Sequence, residues 1–453
     1  MTTNLFNLNL QEVPEADYVC YSFKIPYEPL ANLFAKASDF KGTRFFWQTP
    51  DKNVGFLGFG RNLLKKRGNW STEDLINAKQ EFFKKLSFLV PEKETPILFG
   101  GLPFDAENKN QAPIWGELAE GCFILPELLI KQNHQQLTVV ITASNHFKTL
   151  KELDEFIKEK MRLINEMKER CVPDFSPSQI LKETEVAVPH FLKAVEETIE
   201  VTANKKSALK KVVLARQMQL VGKEFSVEKI LLHLISQQPN TYLFVLEAKG
   251  QAFIGATPER LLQATDTHFL TASIAGSIAR SSNEREDVTS GEKLLKDSKN
   301  IGEHQLVVER LTEQMHSFIK GKLTVSEKSL LKNRDIQHLC LTLKGSRQDG
   351  FSFLEVIRQL HPSPALGGVP KQAAIDWIAE KEPIGRGLYG GPIGWCSLTE
   401  DVGEFAVGIR SGVVSDTEVQ LYAGCGIVPD STPEAEYLET ALKFQPMIRG
   451  VKE

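Results

Sequence analysis

Residues 189–220, PHFLKAVEETIEVTANKKSALKKVVLARQMQL, set a helix pattern directly against a strand pattern. Pro189 suits a first helical turn, where its missing N–H costs nothing, so a helix is expected from Pro189 to about Thr202. The β-branched and aliphatic run VVLARQMQL follows closely as a strand. Towards the C-terminus the same alternation continues. TYLFVLEA, AFIGATPERLL, HFLTASIAG, FAVGIRSGVV and VQLYAGCGIV read as strands, and residues 284–319, PKQAAIDWIAE and PEAEYLETALKFQPMIRGV as helices. Towards the N-terminus, DYVCYSFKIP, TRFFWQTP, NVGFLGFG, TPILFGGLPF, GCFILPELLI and QLTVVIT read as strands broken by Gly and Pro. Apolar residues then recur at three- and four-residue steps from Leu150 to Glu169, the mark of an amphipathic helix. The expected architecture is α+β with large sheets. A strand-rich region, 1–185, ending in that long helix, is expected to pack as one unit with a region 186–453, with VPDFSPSQ (172–179) as the joint between them.

A chain of 453 residues admits two domains or one large unit. Charged residues at 25% and a net charge of −4 leave no basic field for nucleic acid. The acidic start MTTNLFNLNLQEVPEAD lacks a secretory pattern, and no apolar run reaches the length of a membrane helix. The six cysteines, Cys20, Cys122, Cys171, Cys340, Cys396 and Cys425, contain no C-x-x-C pair, which argues against zinc or disulfides and for a reducing cytoplasm.

Several side chains invite a chemical reading. Glu436 and Glu439 share one face of the terminal helix pattern and Glu303 lies on another, so three hard oxygens would suit Mg²⁺. Most glutamates at such positions merely solvate a helix face, so spacing alone does not assign a metal. Lys211 closes KKSALKK and opens the strand VVLAR, where it would be either a surface lysine or a base in a dry site. Glu259 in ATPERLL reads as a helix-start glutamate or a reacting acid. Glycines cluster in ASIAGSIAR, PALGGVPK, RGLYGGPIGW and AGCGIV, but neither a Walker A loop, a G-x-G-x-x-G turn nor a nucleophile elbow is present.

Taken in order, KVVLAR (211–216), FIGATPERLL (253–262), SIAGSIAR (273–280), GEHQLVVERL (302–311), DIQHL (335–339), HPSPALGGVPK (361–371), RGLYGGPIGW (386–395), AVGIRSG (406–412) and YAGCGIVPDSTPEAEYLET (422–440) resemble the chorismate-utilising enzymes. RFFWQTPD and FGGLPFD extend a weaker likeness to the front half. The resemblance implies that family's α+β fold of large antiparallel sheets with helices outside, action on chorismate, and Mg²⁺. HPSPALGG and Lys211 resemble the isochorismate-forming branch, where water is the nucleophile and no glutamine amidotransferase partner is expected. Two positions depart from the common pattern: Ser273 opens S-I-A-G where Pro is frequent, and Tyr389 stands at a Phe/Tyr position.

Carried over residue by residue, the resemblance makes Lys211 the base that activates water for attack at ring C2 and Glu259 the acid that protonates the departing C4 hydroxyl. The two roles require opposite protonation states, an amine and a carboxylic acid. Glu303 and Glu439, helped by Glu436, would hold Mg²⁺. Arg410 and Lys443 would meet the enolpyruvyl carboxylate, and Gly276 and Gly424 would let backbone approach. Tyr389, Tyr422 and His338 complete the substrate-binding set, although His338 reads equally as a hydrogen-bonded core histidine. The rival readings are a siderophore-pathway isochorismate synthase, a salicylate synthase that also eliminates pyruvate, and a non-catalytic chorismate-binding subunit. Length favours the menaquinone pathway.

Overall fold

The computed structural model describes residues 11–68, 72–90, 94–108 and 110–453; residues 1–10, part of the stretch read for an export signal, lie outside them. The segments expected as front-half strands form Tyr18–Ile25, Phe45–Gln48, Val54–Arg67, Ile97–Gly101, Cys122–Asn133 and Gln136–Ser144. These strands do not make a separate sheet. Phe45–Gln48 pairs with Tyr242–Ala248, and Ile97–Gly101 pairs with Pro392–Ser397. Strands from both halves of the chain therefore interleave in one branched, almost wholly antiparallel ladder.

One wing runs from Phe45–Gln48 through Tyr242–Ala248, Gln251–Thr257, Ser411–Val414 and Glu418–Ile427 to Lys211–Lys223. The other runs from Ile97–Gly101 through Pro392–Ser397, Gly403–Val407, Arg260–Ala264 and His268–Ala279 to Ile336–Arg347. Strand pleating sends alternate residues to opposite faces, which splits the core in two. Phe45, Trp47, Phe244 and Leu246 point into the layer between the wings, where Phe45 stacks on Phe99 with ring centroids 4.5 Å apart. Phe46, Leu243 and Val245 point the other way, under the helices Leu30–Lys36, Leu150–Glu169, Val227–Gln237 and Pro433–Lys452.

Three local expectations are corrected. Residues 284–319 form two helices, Glu284–Leu294 and Ser298–His316, because Asp297 caps a fresh N-terminus by accepting from the Asn300 N–H. FAVGIRSGVV divides into Gly403–Val407 and Ser411–Val414 around Arg410, whose φ of 49° lies in the left-handed region. The helices Leu30–Lys36 and Thr72–Lys84 were not expected among the front strands. Among the described residues no helix is long and apolar enough to cross a membrane.

Candidate active site

Three breaks in regular structure bring the chemistry together at the far ends of the two wings. Lys211 opens its strand opposite Val369, beside the edge pair Gly368–Val369. Glu259 sits in the two-residue step between Gln251–Thr257 and Arg260–Ala264, so it is not the helix-start residue that its sequence context allowed. Gly276 is the extra residue of a bulge, with φ of 72°, that shifts the register between Ala275↔Leu339 and Ser277↔His338. The helices Ser298–His316 and Pro433–Lys452 close the cavity that results, contributing Glu303 from one and Glu439 and Lys443 from the other. Glu259, Gly276, His338, Tyr389, Arg410 and Gly424 line the rest of its wall.

Glu259 is the most perturbed acid. Burial raises its pKa from 4.5 to about 7, against the opposing pull of the Arg410, Lys211 and Lys443 charges. Near neutral pH much of it is a carboxylic acid, able to donate. Lys211 is wholly buried, with Nζ 2.9 Å from Glu303 Oε1 but off the line of a hydrogen bond. Gly426 makes that approach possible, since a Cβ there would lie 2.4 Å from Glu303 Oε1 and 2.8 Å from Lys211 Cε.

Lysines accompany the other two carboxylates expected to bind metal. Lys443 Nζ lies 2.5 Å from Glu439 Oε1 and donates to the Gly424 carbonyl at 3.0 Å, and Lys299 Nζ donates to Glu436 Oε1 at 2.8 Å. Burial would raise Glu439, but Lys443 holds it below its ordinary value; burial and the Glu439 charge together raise Glu436. Among the described residues, no group of three acidic, His or Cys side chains converges tightly enough to hold an ion. The expectation of three converging oxygens is therefore corrected. Glu303 and Glu439 line the cavity, whereas Glu436 lies one helical turn earlier, outside the lining and against Lys299.

Tyr422 is also corrected. It is buried behind Tyr389, on which it stacks at 5.2 Å, and its hydroxyl accepts from Trp115 Nε1 at 2.8 Å. Only Tyr389 faces the cavity. Trp115 belongs to the front half, so that region braces the site wall directly. Trp115→Phe should therefore leave the Tyr422 hydroxyl without its donor and lower stability in urea titration by about 1 kcal/mol. Tyr389 would still present the same surface.

Sequence reading missed several contributors. Lys299 is four residues before Glu303 on one helix, a spacing that signals a shared face. Ser363, the serine of HPSPALGG, lies beside the Glu259 carboxyl. Arg386 carries no comparable signal: it is held by Glu382 and donates to the carbonyls of Val213, at 2.7 Å, and Leu366, at 3.1 Å, which fixes the cavity's rear wall.

A buried acid poised near neutrality, a buried lysine beside a carboxylate and an arginine–lysine pair facing the same space suit proton transfer on a small anionic substrate. The chain belongs to the chorismate-binding enzyme family, which matches residues 5–452. It is 34% identical over 463 residues to isochorismate synthase MenF of Bacillus subtilis, covering 97% of this chain and 95% of that protein. It is 36% identical to the salicylate biosynthesis isochorismate synthase of Pseudomonas aeruginosa over 237 residues, covering 52% of this chain and 50% of that one. The fold matches the menaquinone-specific isochorismate synthase MenF from Escherichia coli with a TM-score of 0.80 at 24% identity, covering 98% of this chain and 97% of that chain. The large antiparallel architecture expected from the sequence is the one this chain shares with that Escherichia coli structure.

Proposed function

We propose that this protein is an isochorismate synthase, an isomerase that adds water at C2 of chorismate and releases the C4 hydroxyl, serving menaquinone synthesis. The observation that carries the reading is a buried acid raised to about 7, Glu259, in the wall of one small cavity, with the buried Lys211 held behind that wall against Glu303, which lines it. In this reading Lys211 Nζ takes a proton from the attacking water, and the Glu259 carboxyl gives one to the departing hydroxyl. Both ring double bonds move by one position, from C1–C2 and C5–C6 to C6–C1 and C4–C5, so that the electron pair arriving at C2 is balanced by the one leaving with the C4 oxygen and C3 stays saturated. Arg410 and Lys443 neutralise a substrate carboxylate, and the burial of the site keeps bulk water from competing. The likeness over 97% of this chain to MenF of Bacillus subtilis supports the menaquinone role, as does the fold shared with the menaquinone-specific MenF of Escherichia coli, whereas the isochorismate synthase EntC of Escherichia coli matches 52% of this chain.

The cavity carboxylates fit a hard divalent cation. Glu303 and Glu439 offer hard oxygen ligands from the two helices that close the cavity, with Lys211 and Lys443 against them. Mg²⁺ held by Glu303 and Glu439, with Glu436 behind them, would supply compensation for a dianionic substrate.

The test is incubation with chorismate in Mg²⁺ and then in EDTA, with products identified by chromatography and NMR beside a Lys211→Ala control. Isochorismate alone, formed with Mg²⁺, stopped by EDTA and absent in the variant, is expected. Salicylate with pyruvate would place the chain among salicylate synthases, and no turnover would leave a binding protein.

A further inference from the structure

Glu303, Glu439 and Glu436 each have a lysine against them, and two of those lysines have work in the reaction proposed above. Lys211 takes a proton and Lys443 meets a substrate carboxylate, whereas Lys299 does neither. Its Nζ donates to Glu436 Oε1 at 2.8 Å, with the Lys299 side chain 28% exposed and that of Glu436 only 1%. Burial alone would lower the Lys299 ammonium, yet Glu436, Glu439 and Glu303 outweigh it and hold its pKa above the ordinary value. Lys299 is therefore a permanent cation set among all three carboxylates.

Both helices that close the cavity build the pair. Lys299 stands four residues before Glu303 on Ser298–His316, in the first turn, which Asp297 caps by accepting from the Asn300 N–H. Glu436 stands three residues before Glu439 on Pro433–Lys452. Ser431 lies beside the Glu436 carboxyl, and its Oγ already accepts from the Val428 N–H at 3.2 Å, which leaves its proton to give. Glu436 is thus engaged by donors of the protein, outside the lining that Glu303 and Glu439 share. Two carboxylates suit Mg²⁺, which keeps waters and substrate oxygens in its octahedron, whereas a third favours the larger Ca²⁺, which takes more oxygens in looser geometry.

We propose that Lys299 is a positioning residue for the metal site: by holding Glu436 against its ammonium it keeps that carboxylate out of the ion's coordination, which limits affinity and favours Mg²⁺ over Ca²⁺. This rests on the Mg²⁺ of the function proposed above. Without Lys299, Glu436 becomes a buried carboxylate lacking its cation, which an ion held by Glu303 and Glu439 can neutralise.

Calorimetric titration of the substrate-free protein with MgCl₂ and with CaCl₂ tests this without any turnover. Lys299→Met should bind Mg²⁺ about tenfold more tightly than the wild type, and its gain for Ca²⁺ should be larger, about a hundredfold. Lys299→Arg, which keeps the pair, should match the wild type, and Lys299→Met with Glu436→Gln should lose the gain. Circular dichroism checks the fold, and Lys299→Ala repeats the test with a smaller side chain. Unchanged or weaker Mg²⁺ binding in Lys299→Met beside a wild type that binds overturns the inference and leaves the metal reading standing. Equal gains for the two ions would reflect lost charge repulsion alone and also overturn it, as would a double variant that keeps the gain. If neither protein binds Mg²⁺ the inference falls, and the metal reading falls with it only where EDTA leaves turnover intact.

Discussion

Glu259→Gln is expected to reduce turnover by about 10²–10⁴-fold while the protein stays folded, because an amide fills the same volume but has no acidic proton to give. Steady-state kinetics beside circular dichroism checks this. A variant retaining a tenth of the wild-type rate would remove Glu259 from the reaction. In the wild type, an acid with a pKa of about 7 loses its proton as the pH climbs through that value, so kcat should fall on the alkaline side. Stability follows the same titration. Between pH 4.5 and about 7 the folded chain keeps a proton at Glu259 that the unfolded chain has released, so stability is higher below this window and declines across it. The full cost of ionising the buried group is on the order of 3 kcal/mol at most. Glu259→Gln should abolish this slope, and urea midpoints across that pH range would show the wild type losing ground to the variant as pH rises.

Arg44→Met should cost about 3–5 kcal/mol of stability by leaving two buried carboxylates without their cation. Arg44 is fully buried; it donates to both oxygens of Glu247, at 2.9 and 2.6 Å, and to Glu228 at 2.6 Å, while Phe34 lies under its guanidinium. Burial would raise Glu228, but Arg44 outweighs it and holds the carboxyl below its ordinary value. That contribution is present above the unfolded carboxylate range and is lost as pH falls through the folded value. The cluster ties the front half to the helix Val227–Gln237 and the strand Tyr242–Ala248, so the loss should appear as one cooperative shift in denaturant midpoint. Replacing all three charges with apolar residues should recover much of it, since the penalty lies in the unpaired carboxylates. Separate unfolding of the region before residue 185 would contradict the interleaved ladder.

Much of this protein is legible without coordinates. Alternating apolar patterns mark the strands from Tyr18 to Ser144, and the Leu150–Glu169 helix is bounded as its periodicity indicates, because burial on one face imposes a period on the residues that carry it. The motifs single out Glu259, Glu303, His338, Tyr389, Arg410, Gly424, Glu439 and Lys443, residues that the fold brings to the wall of one cavity. What spacing cannot say is which neighbour a side chain meets across the fold. Tyr422 and Tyr389 are equivalent as letters and equally buried, yet only Tyr389 lines the cavity, with Tyr422 stacked behind it against Trp115. Glu436 and Glu439 share a helix face, but the rise of about 4.5 Å over three residues sets one against Lys299 and the other in the cavity wall. Ser277 gains its place opposite His338 only through a bulge and a partner strand about 60 residues away. Composition and periodicity determined the elements, and the recurring motifs determined the chemistry. The pairing of distant strands decided which groups are buried and which charges face them, because those depend on contacts made only when both wings are in place.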